Sequence, residues 1–165
     1  MQALLTTVKE FRMFSYTYSL KNLRGITLSS VRNKETMMKL RILIVDDMAA
    51  MRILIKQYLR NNDAIVVVGE ASNGEEALRK TQEFQPDVVI LDMSMPGASG
   101  VEVSRKIKSL LPNISVYLCS AYELNEFKEL NIGMPADGFI QKSSMKPELL
   151  AMIRKELERK KIMNL

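Results

Sequence analysis

Five short apolar runs alternate with helical patterns along most of the chain, and this alternation leaves few folds open. The runs are Ile42–Val45, Ile65–Val68, Val88–Leu91, Ile114–Cys119 and Phe139-Ile140. None alternates apolar with polar residues over its whole length, so each reads as a strand buried on both faces of a parallel sheet. Met51, Leu54, Ile55, Tyr58 and Leu59 recur at helical spacing after the first run. Gly74, Ala77, Leu78 and Thr81 do so after the second, and Val103, Ile107, Leu110 and Leu111 after the third. A weaker pattern, Leu124, Phe127 and Leu130, predicts a fourth helix over 122–130, and Leu150, Ile153 and Leu157 predict a fifth. Ser72 to Glu75 and Ser99 to Glu102 fit capping boxes at two helix starts, and Pro147 suits a first helical turn. Five βα units give an α/β domain with a doubly wound, flavodoxin-like five-stranded parallel sheet. In such a sheet ligands sit at the carboxyl ends of the strands.

Composition excludes several classes. With 47% hydrophobic and 26% charged residues, the chain is neither disordered nor fibrous. No apolar run approaches the roughly 20 residues that span a bilayer. It has one cysteine, Cys119, in an apolar run, which reads as an inert buried thiol and fits a reducing, cytoplasmic compartment. There is no histidine, so no Ser-His or Cys-His dyad and no phosphohistidine resides here. Residues 1–39 hold seven basic and two acidic residues, while 40–165 balance at 17 of each. The basic pI therefore belongs to an N-terminal extension, residues 1–38, and the body, 39–165, carries no electrostatic footprint for nucleic acid. The extension is Ser/Thr-rich and carries Phe11, Phe14, Tyr16 and Tyr18. Three readings stand for it: an upstream extension ahead of a start at Met37-Met38, a membrane or partner tether, and an organellar transit peptide. The run Arg154 to Lys161 mixes signs at helical spacing and reads as a solvated helix face.

The strand ends carry the chemistry. The first run ends in Asp46-Asp47, the third in Asp92 ahead of Met93-Ser94-Met95-Pro96, the fourth in Ser120, and the fifth runs into Lys142. Three carboxylates on one rim repel one another unless a cation is present. A hard cation such as Mg²⁺, with waters and a phosphate, resolves that repulsion, and Lys142 and Ser120 can then pair with phosphate oxygens.

These segments, with Arg52, Ala71 to Leu78, Gly100, Ser120-Ala121 and Ala136 to Phe139, resemble the receiver domain of two-component response regulators, similar to the stand-alone chemotaxis type. The resemblance covers the body and not the extension. It implies that Asp92 is the phosphoacceptor, forming 4-aspartylphosphate, and that Asp46, Asp47 and Asp92 hold Mg²⁺, Asp47 rather than Asp46 as the direct ligand of that pair, with the backbone carbonyl of Ser94 completing the protein ligands. It makes Ser120 the switch hydroxyl, Lys142 the phosphate-pairing amine and Phe139 the switch aromatic. The implied partners are a sensor histidine kinase or phosphotransfer protein and a downstream protein effector read through the fourth helix, fifth strand and fifth helix. A phosphorylation-dependent homodimer on that face is the other contact considered. The only chemistry expected is self-catalysed phosphoryl acceptance and loss, from a module without an attached output domain. Two departures stand out. Ser143 follows Lys142 where the family commonly has proline after a cis bond, so that turn is expected to differ. Phe139 replaces a tyrosine and has no hydroxyl.

Rival readings fare worse on the residues. A dehalogenase-type Mg²⁺ phosphatase needs a second Asp two positions after its nucleophile, where this chain has Ser94 or Met48. A dinucleotide-binding domain needs a glycine-rich turn where Asp46-Asp47-Met48 stands. A receiver fragment of a DNA-binding regulator and a receiver without the phosphorylation chemistry are the remaining alternatives.

Overall fold

The computed structural model describes residues 39–121 and 135–163. The extension and the expected helix at 122–130 lie outside the described residues.

Strands Leu40–Val45 (β1), Ile65–Ala71 (β2), Val88–Asp92 (β3), Ser115–Ser120 (β4) and Gly138–Gln141 (β5) form one parallel sheet in the order β2-β1-β3-β4-β5. Helices Ala49–Leu59 (α1), Gly74–Phe84 (α2) and Gly100–Leu110 (α3) follow the first three strands, and a C-terminal helix spans Met145–Met163. The strands divide their side chains by parity. Ile42, Ile44, Val88, Ile90, Tyr117 and Cys119 pack with Ile55 and Leu59 of α1 and with Met145, Leu149, Met152 and Ile153. Leu43, Val45, Val89, Leu91, Val116 and Leu118 pack with Ala77 of α2 and with Val103 and Ile107 of α3. The three inner strands are thus apolar on both faces, as their continuous runs require. Fully burying one such Leu or Ile contributes about 1.5–3 kcal/mol.

Several expectations need correction. β2 is an edge strand, and its residues from Val66 to Glu70 are half-buried. It also runs past Val68 because the β1–β2 register shifts: Ile42 pairs with Val67, but Leu43 pairs with Gly69. This bulge swaps the faces of every later residue in β2. The box at α2 sits one residue on from its expected place. Asn73 is the cap, accepting from the Glu76 N–H at 2.9 Å, while Glu76 accepts from the Ser72 N–H at 2.8 Å. Ser99 caps α3 as expected. Leu110 and Leu150 are exposed, because the buried stripes fall on Ile107 and on Leu149. The run Arg154 to Lys161 is not wholly solvated. Glu156 within it is buried, accepts from Tyr117 Oη at 2.7 Å and Ser115 Oγ at 2.9 Å, and pairs with Arg159 at 2.8 Å.

Candidate phosphoacceptor site

Each acidic residue is delivered by the end of a buried strand. Asp46 follows β1, donates its N–H to the Ala71 carbonyl at 3.1 Å, and is itself buried. Its Oδ1 accepts from the Met48 N–H at 2.8 Å, a turn that starts the path into α1. Asp47, the next residue, is exposed. Asp92 ends β3 and is buried. The loop after it is pinned by Met93 and Met95, which sink into the core on the α2–α3 side while Ser94, Pro96 and Gly97 stay exposed. Gly97 takes a φ of 85°, which a glycine adopts without strain. Oxygen atoms of Asp46, Asp47 and Asp92 all lie within 4.8 Å of one another.

Lys142 reaches this cluster from the far edge of the sheet. Its Nζ lies 3.0 Å from Asp46 Oδ2 and 2.9 Å from Asp92 Oδ1. One ammonium therefore bridges the two buried carboxylates. Burial alone would favour loss of its proton, but the hydrogen bonds to Asp92 and Asp46 outweigh it and hold the amine above its ordinary value. Burial pushes the Asp46 carboxyl upward, against the Met48 N–H and Lys142.

The turn that carries Lys142 is a single 3₁₀ turn, Lys142–Ser144, with no cis peptide among the described residues. Glu148 in the first turn of the C-terminal helix holds it. Its carboxylate accepts from the Gln141 N–H at 2.6 Å and from the Ser144 hydroxyl. Without proline after Lys142, a side chain supplies the restraint. Nothing in the local sequence marked Glu148 for this role except its place in the first helical turn.

Ser120 ends β4, one residue beyond Cys119, which is level with Asp92. Phe139 is half-buried on β5 beside Leu118 and packs against the α2–α3 core. Ser94 is exposed in the loop after Asp92. Cys119 is buried, and burial raises its thiol well above the ordinary value, as an inert thiol requires.

Three carboxylates and one ammonium leave a net formal charge of two negatives at one rim, presented through oxygen donors alone. That donor set fits a hard divalent cation such as Mg²⁺ rather than a thiophilic or imidazole-seeking metal. The family model described as response regulator receiver domain matches residues 42–154. The chain belongs to that family. Among curated relatives, this receiver is 36% identical over 115 residues to response regulator GacA of Pseudomonas viridiflava, covering 70% of this chain and 54% of that protein. It is 37% identical over 120 residues to response regulator protein VraR of Staphylococcus saprophyticus, covering 72% and 56%. The chain thus spans about half the length of the curated relatives it matches. Solved receivers share the fold. The response regulator domain of Thermotoga maritima CheB superposes at TM-score 0.63 with 32% identity, over 73% of this chain and 97% of that one. The REC domain of AraT from Geobacillus stearothermophilus gives 0.68 with 27% identity, over 78% and 100%. No helix among the described residues of this receiver is long and apolar enough to cross a membrane.

Proposed function

We propose that this receiver is a phosphorylation switch of a two-component relay, taking a phosphoryl group from a phosphohistidine onto Asp92. The observation that carries the reading is the Lys142 ammonium bridging Asp46 and Asp92, with the exposed Asp47 carboxylate beside them. Asp92 Oδ attacks phosphorus, the O–P bond forms, and the N–P bond to the donor histidine breaks. Asp46, Asp47, Asp92 and the Ser94 carbonyl would hold Mg²⁺, which supplies charge neutralisation to the transferring group. Lys142 turns from the carboxylates to a phosphoryl oxygen. Ser120 donates its hydroxyl to another oxygen, and Phe139 rotates toward the space this leaves. The change is a shift between two populated arrangements, read by a protein partner on the face that β5 and the C-terminal helix present. Residues 39–165 act as the switch and residues 1–38 as a separate basic extension. The charge balance of 40–165 supports a protein rather than a nucleic acid as the partner of this body. The expected setting is the cytoplasm.

Intact-mass measurement after incubation with acetyl phosphate and Mg²⁺ tests the reading. One added phosphoryl group is expected, and none in Asp92→Asn. Equal labelling of Asp92→Asn would overturn the assignment.

A further inference from the structure

Asp47 poses a problem of positioning. Its carboxylate accepts no hydrogen bond among the described residues, and the residue is exposed, yet its oxygen lies within 4.8 Å of the Asp46 and Asp92 oxygens. Its place must come from its backbone. The side chain touching that backbone is Arg52, one turn into α1. Arg52 Nη1 donates to the Asp46 carbonyl at 2.7 Å and points at the Asp47 carbonyl at 3.4 Å. The Nε of the same guanidinium donates to Glu70 Oε2 at 3.3 Å.

Glu70 is there because of the bulge in β2. Continuous pairing would set Glu70 level with Val45, on the α2–α3 face. The shift sets it level with Ile44, on the α1 face, opposite Arg52. Lys56, one turn further along α1, takes the other carboxylate oxygen at 2.5 Å, and Lys80 of α2 donates to the Glu70 carbonyl. The hydrogen bond from Lys56 is the largest influence holding the Glu70 carboxyl below its ordinary value, so it stays an anion. Partly exposed ion pairs of this kind add little to stability. The arrangement is better matched to fixing a loop. A planar guanidinium carries its donors on separate nitrogens in a rigid fork, so it holds a carboxylate and two carbonyls at fixed separations where a lysine ammonium acts as a single point charge.

We propose that Arg52, clamped by Glu70 across the β2 bulge, is a positioning residue that holds the Asp46-Asp47 backbone so that the Asp47 carboxylate faces Asp92 as a metal ligand. This rests on the reading of Asp46, Asp47 and Asp92 as a Mg²⁺ site. Glu70 also offsets part of the positive charge that Arg52 brings to a cation-binding loop.

The test is Mg²⁺ titration of the full, unphosphorylated chain, followed by amide chemical shifts of Asp46, Asp47 and Met48 and by calorimetry. Arg52→Lys keeps the charge and removes the fork. It should raise the Mg²⁺ dissociation constant by about tenfold or more, the usual effect of removing a group that orients a metal ligand. The metal-free amide shifts of Asp47 and Met48 should move as well. Glu70→Gln should weaken binding in the same direction, and the double variant should be no worse than Arg52→Lys. Arg79→Gln, whose ion pair with Glu83 lies along α2, changes the charge without touching Arg52, Glu70 or the loop and should leave the constant within about twofold of the wild-type value. A constant for Arg52→Lys within twofold of wild type would overturn the proposal alone, leaving Arg52 a strut between α1 and β2. Failure of the wild-type chain to bind Mg²⁺, or undiminished binding by Asp47→Ala, would overturn the metal-site reading itself.

Discussion

Gly100 lies so close to Asp92 that a Cβ at position 100 would sit 2.2 Å from the Asp92 carbonyl oxygen and 2.8 Å from the Cα of Met93. The approach is sealed by the Gly100 N–H donating to the Met93 carbonyl at 3.0 Å. The obstructing atoms are backbone, so neither side can yield by a rotamer change. Gly100→Ala should cost about 1–3 kcal/mol, the range for overpacking a tight site, and displace the strand end that carries Asp92. Urea unfolding and the rate of labelling by acetyl phosphate should fall together. A variant with wild-type stability and rate would show that the α3 start can move away freely.

Lys142 and Asp47 should respond in opposite ways to removal. Lys142→Met leaves Asp46 and Asp92 buried without their shared cation, which should destabilise the metal-free protein by about 3 kcal/mol. Added Mg²⁺ should then raise the melting temperature more than it does in wild type. Asp47→Ala removes a like charge from the cluster, so its metal-free stability should match or exceed wild type while Mg²⁺ affinity drops. Thermal melts with EDTA and with Mg²⁺ on both variants check this. Unfolding of Asp47→Ala with intact Mg²⁺ binding would make Asp47 a structural cap.

Glu76 sets part of the acid limit of the fold. Its hydrogen bond with Lys80, and then the Ser72 N–H, lower the carboxyl from 4.5 to about 2. The charged form is thus favoured in the folded state. Its stabilisation is complete above the unfolded value near 4.5 and is lost as pH falls from there toward about 2. Urea midpoints measured from about pH 6 down to about pH 2.5 should fall less steeply in Glu76→Gln than in wild type. Parallel slopes in the two proteins would remove Glu76 from the acid response.

The hydroxyl of Tyr117 meets a buried carboxylate at the end of β4 remote from Asp92. Burial, and then the hydrogen bond to Glu156, push the phenol above its ordinary value, so it remains a donor at any working pH. Tyr117→Phe should cost about 1.5–3 kcal/mol in urea unfolding, because Glu156 then keeps Ser115 and Arg159 alone among the described residues. Labelling at Asp92 should persist. A cost near zero would mean that water replaces the hydroxyl.

Much of the architecture was legible because its signals are local. Continuous apolar runs such as Ile42–Val45 and Val88–Leu91, set between helical patterns, read as strands covered on both sides, and Asp46, Asp92 and Lys142 are read at their ends. Helix stripes were less legible at their margins. Leu110 and Leu150 look like core by spacing, but the neighbouring turns present Ile107 and Leu149 instead. A stripe two residues wide does not say which edge meets the sheet.

What the sequence by itself determined is the order of strands and helices and the chemistry stationed at the strand ends, because periodicity and residue type act over a few neighbours. Tertiary structure alone decided which distant groups meet. A one-residue bulge turned Glu70 toward Arg52, an edge position left β2 half-covered, and the long C-terminal helix carried Glu156 under Tyr117 within what reads as a charged surface run. It also brought Lys142 across 96 positions of chain to bridge Asp46 and Asp92. Register shifts and long-range pairings depend on packing between elements, and no local pattern encodes them.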